Sequence, residues 1–204
     1  MNNSREFPKI MKIYQEQIKR VINLLESNKV KISEGMSQSQ IDAAQNLYEI
    51  VFPPDLKELI MTFIPEGDRF WNWADFSTEN VEKIKGMLMW PADGALFDVE
   101  HNDFWPKAWG QKPDNLTQKL GAARKHLEEV PKLLPIYSHR FISSFPNEAG
   151  NPVFSVYQTD IIIYGRDLWD YFEIEYREKD YSNIEFDKIK AIPFWNDIII
   201  DNNS

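Results

Sequence analysis

The 204-residue chain is 43% hydrophobic and 14% aromatic, which is enough apolar surface for a folded core and excludes a disordered polymer. It has no cysteine, so disulfides, thiolate nucleophiles and Cys-ligated zinc are excluded. A formal charge of −9 disfavours nucleic acid, whose phosphates would be repelled, and favours a basic protein partner.

The charge is uneven. Residues 1–31 carry 7 basic and 3 acidic groups, residues 32–165 carry 11 and 19, and residues 166–204 carry 5 and 10. No run approaches the roughly 18 apolar residues of a membrane span, and Lys9 and Lys12 interrupt any apolar leader. The expectation is a cytoplasmic protein that does not engage a membrane.

Phe7, Ile10, Met11, Tyr14, Ile18, Val21, Ile22 and Leu25 form a helical stripe over residues 7–29, with Lys and Arg on the other faces. In an acidic chain this basic amphipathic helix is expected to pack on its own domain. Ser37 and Gln40 have capping-box spacing, and Ile41, Ala44, Leu47, Tyr48 and Val51 follow at helical intervals. Pro53 and Pro54 stop that helix and open the next, where Leu56, Leu59, Ile60 and Phe63 repeat with helical period. Residues 69–76 (RFWNWADF) suit a short strand or an aromatic loop. Ser77 to Met89 predicts a helix stopped by Pro91. Residues 90–113 hold three Pro, two Gly and three Trp, which predicts a long ordered loop with a short strand at Ala95 to Val99. Leu116, Leu120, Ala123, Leu127 and Val130 mark another amphipathic helix, with His126 on its exposed side.

Strands cluster late. Ile136 to Ile142 alternates as one strand, Val153 to Tyr157 and Ile161 to Tyr164 as two more, and Asp167 can cap a helix carrying Leu168, Phe172 and Tyr176. From Lys179 the chain is charged, then regains an apolar run at Ile192 to Ile200 that is expected to dock as an edge element. The class is α+β: one domain with a mostly antiparallel sheet flanked by helices, plus the N-terminal amphipathic helix. The expected divisions are an N-terminal helical extension packed on the domain (1–34), the α+β domain (35–178) and a charged tail with an apolar end (179–204).

The order of elements resembles the SUKH superfamily. The residues that carry the resemblance are Val51-Phe52-Pro53-Pro54-Asp55-Leu56-Lys57-Glu58-Leu59-Ile60, then Gly150-Asn151-Pro152-Val153-Phe154-Ser155-Val156-Tyr157, and Tyr164-Gly165-Arg166-Asp167-Leu168-Trp169-Asp170-Tyr171-Phe172. It spans roughly residues 35 to 176. One departure is Ile64-Pro65-Glu66-Gly67-Asp68, which stands where the family usually has an Asn-Gly-Gly-like turn. The resemblance implies a non-enzymatic binding protein, either an immunity protein that neutralises a cognate toxin, often a nuclease, or a regulatory scaffold. An acidic surface suits a basic toxin domain.

Asp98, Glu100, His101 and Asp103 form D-x-E-H-x-D, which lacks the spacing, mid-loop Gly and distal Glu of an EF-hand; it predicts a solvated acidic loop, not a metal site. Acids beside Trp90, Trp105 and Trp109 would also suit a hydrolase or a carbohydrate-binding protein, an alternative that ranks below the regulatory scaffold. There is no nucleophile elbow, dinucleotide fingerprint or phosphate loop, and so no catalytic residue and no cofactor is expected. His139, Arg140 and Asp160 are read as a polar network holding strands together. The expected partner-binding residues are Asp93, Asp98, Glu100, Asp103, Trp105 and Trp109, acids around aromatic anchors.

Overall fold

A computed structural model describes residues 14–202. Phe7, Ile10 and Met11 of the expected helical stripe, and residues 203–204, lie outside the described residues. Helix α1 (Gln15–Ser27) turns Ile18, Val21 and Leu25 inward. Strand β1 (Ile32–Glu34) follows, then α2 (Gln38–Tyr48) and α3 (Pro54–Thr62), which leads into β2 (Phe63–Pro65), the antiparallel partner of β1. The Ser37–Gln40 capping box forms in full, and Pro54 sits in the first turn of α3. Both follow from backbone groups that a helix end leaves unpaired. Residues 69–76 are an aromatic loop rather than a strand. Trp73 is buried there, edge-on to Tyr48 and Phe52.

The first correction is α4 (Thr78–His101), a helix of 24 residues that runs straight through Pro91. The expected stop at Pro91, and the strand at Ala95 to Val99, do not occur. A proline inside a helix costs about 3 kcal/mol, because it has no N–H for the preceding turn and its ring crowds that turn. Burial outweighs that cost here. Ala95, Leu96 and Val99 pack against Ala123 and Leu127 of α5 (Leu116–Glu128). Each large apolar side chain buried contributes about 1.5–3 kcal/mol. Between the two helices runs a loop whose short 3-10 turn, Lys107–Trp109, inserts Trp109 into the same cluster.

A four-stranded antiparallel meander closes the fold: β3 (Leu133–Tyr137), β4 (Arg140–Ser143), β5 (Val153–Tyr157) and β6 (Asp160–Gly165), in that spatial order. The expected single strand from Ile136 to Ile142 is instead a hairpin, turned at Ser138 and His139, with Ser138 at φ 48°. Strand alternation gives the sheet two apolar faces. Leu134, Ile142 and Val153 join the large core with α1, α2, α3 and α6 (Leu168–Glu175), while Leu133, Phe141, Phe154 and Ile161 face the other way. That second face is covered by Ile192, Trp195 and Ile198, and the apolar end of the chain forms α7 (Trp195–Asn202), a helix on the sheet face rather than an edge element. The segment after Lys179 therefore supplies core. The architecture is a single α+β domain with antiparallel sheets. Among the described residues no helix is long and apolar enough to cross a membrane.

Candidate functional site

Helix α4 presents three faces at a period of 3.6 residues. Ala95, Asp98 and Val99 point into the protein, Lys85, Leu88, Ala92 and Leu96 border a groove, and Trp90, Asp93, Phe97 and Glu100 share the outer face. The outer face lies across the β5–β6 turn. The Trp90 indole Nε1 donates to the Val156 carbonyl at 3.3 Å, and the Asp98 carboxylate accepts from the Thr159 amide (2.9 Å) and hydroxyl (2.6 Å). A Cβ on Gly94 would sit 2.7 Å from the Gln158 Cα, so only glycine permits this approach.

The contact leaves an aromatic and acidic face of α4 in solvent. Trp90 is 42% exposed and Phe97 45%, with Asp93 and Glu100 exposed beside them. At the ends of the β5–β6 turn Tyr157 is 61% exposed and Asp160, its partner in the ladder, is exposed as well. Phe97 also packs on the His101 ring at 4.4 Å between centroids. Large apolar side chains ringed by charge are what a recognition surface offers, since most surface apolar residues are scattered.

The expected binding residues divide. Asp93 and Glu100 are on the patch. Asp103 is exposed at φ 59° and paired with Lys112, whose hydrogen bond holds the Asp103 carboxyl below its usual range. Asp98 is only 3% exposed and is a brace between α4 and the β5–β6 turn, also accepting from the Asn102 amide at 2.5 Å. Trp109 is buried and stacked between His126 (5.2 Å, 5° between planes) and Phe194 (5.8 Å, 7°). His126 is therefore a stacking partner rather than a simply exposed side chain. Trp105 meets Trp109 edge-on at 5.2 Å and donates to the Gly110 carbonyl at 3.0 Å. Two of the three tryptophans thus build the core of their own loop. Among the described residues no group of three or more His, Asp or Glu side chains is placed to hold a metal ion. Trp90, Phe97, Tyr157 and Asp160 are not among the expected binding residues. The 90, 93, 97, 100 spacing signals the α4 face only when the helix runs through Pro91.

The polar network also changes membership. Arg140 donates from Nη1 to the His139 Nε2 and to the Ser155 hydroxyl (2.8 Å), lies over the Tyr164 ring (3.9 Å to its centroid) and faces Glu175 at 3.5 Å. Asp160 takes no part. It begins β6 opposite Tyr157 and is exposed. His139 is held below its usual pKa by burial and by the adjacent Arg140 charge. The Tyr171 phenol, fully buried beneath this cluster, is pushed well up by burial and by Glu175. The carboxyls that burial raises, Asp55 and Glu173, lie apart on α3 and α6, and Asp55 is spent accepting the Gly150 amide at 2.8 Å and the Leu56 amide at 3.0 Å. Compared with protein-family models, curated proteins and solved structures, the chain matches none.

Proposed function

We propose that the chain is a non-enzymatic binding protein that engages a basic protein partner through the outer face of α4. The carrying observation is the exposed set of Trp90, Asp93, Phe97 and Glu100 on one face of α4, with Tyr157 and Asp160 exposed at the ends of the β5–β6 turn that α4 contacts. Aromatic anchors supply the buried contact area, and the carboxylates steer and orient a cationic partner. The formal charge of −9 acts in the same direction over longer range. The resemblance in element order to the SUKH superfamily supports one role above others: a cytoplasmic immunity protein that occludes a basic toxin domain, of the nuclease kind. The alternative is a regulatory scaffold with no toxin. A hydrolase would call for two free carboxylates converging with raised pKa; among the described residues Asp55 already accepts two backbone amides and Glu173 is paired with Arg20 at 2.9 Å.

The experiment takes any basic protein encoded beside this gene that poisons a host and co-expresses it there with this chain. Growth restored by the natural chain, and lost in a Trp90→Ala/Phe97→Ala/Glu100→Lys variant that keeps its circular dichroism, supports the immunity role. Equal rescue by the variant removes the α4 face from the account. A neighbouring protein that is harmless but still bound through that face favours the scaffold.

A further inference from the structure

The groove on another face of α4 has a different character. It has a volume of about 670 Å³ and runs between α2, α4, α5 and the start of β3. Its floor is apolar: Leu96, Leu127, Leu133 and the ring of Trp195, all buried. The Trp195 indole N–H is already given to the Pro131 carbonyl at 2.7 Å and is not free for a ligand. Leu47 and Met89 line the groove and remain 41% and 53% exposed, leaving apolar surface in water.

The mouth carries Lys85, Arg124 and Lys132 against Glu49 and Glu128, a local excess of one positive charge on a chain of −9. Lys85 is paired with Glu82 at 3.3 Å, and Lys132 donates to the Glu49 carbonyl at 2.9 Å. Arg124, by contrast, makes no hydrogen bond or ion pair among the described residues. An apolar trough of this size with one uncommitted guanidinium at its rim matches the general form of a small-ligand site, in which hydrophobic walls give affinity and one or two polar groups fix orientation. We infer that the groove binds a soluble amphiphile with a linear hydrocarbon chain and a carboxylate head, the chain lying over Leu96, Leu127 and Leu133 and the head pairing with Arg124. A planar guanidinium forks onto a carboxylate through two parallel hydrogen bonds, which fixes the orientation of the head. This inference does not depend on the partner-binding role, because the groove and the aromatic patch use different faces of α4.

The test is titration of the isotope-labelled full chain with sodium dodecanoate below its micelle concentration, followed by amide and indole resonances. The expected result is saturable binding with shifts confined to residues 47–49, 85–96, 124–133 and the Trp195 indole. Arg124→Glu, an exposed change that leaves the fold intact, should weaken binding at least about tenfold. Ala92→Trp should fill the trough and abolish binding, with its circular dichroism checked. Equal binding of dodecyltrimethylammonium, an unchanged affinity in Arg124→Glu, or absent or scattered shifts would each overturn the inference.

Discussion

Asp98 and Glu100 stand two residues apart on one helix and have opposite fates, because 200° of helical rotation separates their side chains. Asp98 faces inward and accepts three hydrogen bonds, so its removal leaves the Thr159 amide and hydroxyl without their acceptor. Asp98→Ala should therefore lower the unfolding free energy by about 2–4 kcal/mol in urea titration, while Glu100→Ala should change it by less than about 0.5 kcal/mol. His139 gives a second prediction. Its imidazole is held below the ordinary value of 6.5, first by burial and then by Arg140. The unfolded chain therefore takes up the proton first as pH falls. The sign follows: the neutral ring's contribution is present above the unfolded pKa and is lost as pH drops below it. His139→Asn keeps an acceptor beside Arg140 but does not titrate. The urea midpoint of the natural chain should fall more than that of the variant between about pH 7.5 and pH 5.5. Parallel curves would show that the ring is unperturbed.

At the level of elements, α4 explains both what the sequence makes legible and what it hides. Helices with a clear stripe and a capping residue, such as those begun by Ser37 and Asp167, form where local chemistry alone places them. Two departures have different causes: tertiary packing that overrides a local signal at Pro91, and a turn with no local signal at Ser138. Pro91 is a strong local stop, yet the apolar residues beyond it pack on α5 and carry the helix ten residues further. Ser138 and His139 turn a hairpin without the Asn-Gly or Asp-Gly pair that usually announces one. The site was half legible for the first of these reasons. Its carboxylates Asp93 and Glu100 stand out in any acidic run, but Phe97 joins Trp90 only once the segment is a helix. Two glycines of α4 test this packing against each other. Gly94 meets the backbone of Gln158, and Gly86 has nothing within 4 Å of an added methyl. Gly86→Ala should stabilise the protein by about 0.5–1 kcal/mol through helix propensity alone. Gly94→Ala should destabilise it by about 1–3 kcal/mol, the cost of overpacking exceeding the same gain. Thermal melts of the two variants should move in opposite directions.

For the whole molecule, the acidic charge and the α4 patch make one statement about association. A chain of −9 that approaches a basic partner should do so under long-range attraction, and salt screens that attraction beyond roughly 10 Å at 0.1 M. Raising ionic strength from about 50 to 500 mM should slow association roughly tenfold or more while leaving dissociation nearly unchanged. Stopped-flow mixing of the two purified proteins measures this directly. The location of the contact is the central claim, and hydrogen exchange on the complex with its basic partner tests it most directly. The account predicts slowed exchange in the complex at residues 90–101 and 157–160, with the region around α1 and α6 unchanged. Protection confined to α1 and α6, with residues 90–101 exchanging as in the free chain, would contradict it.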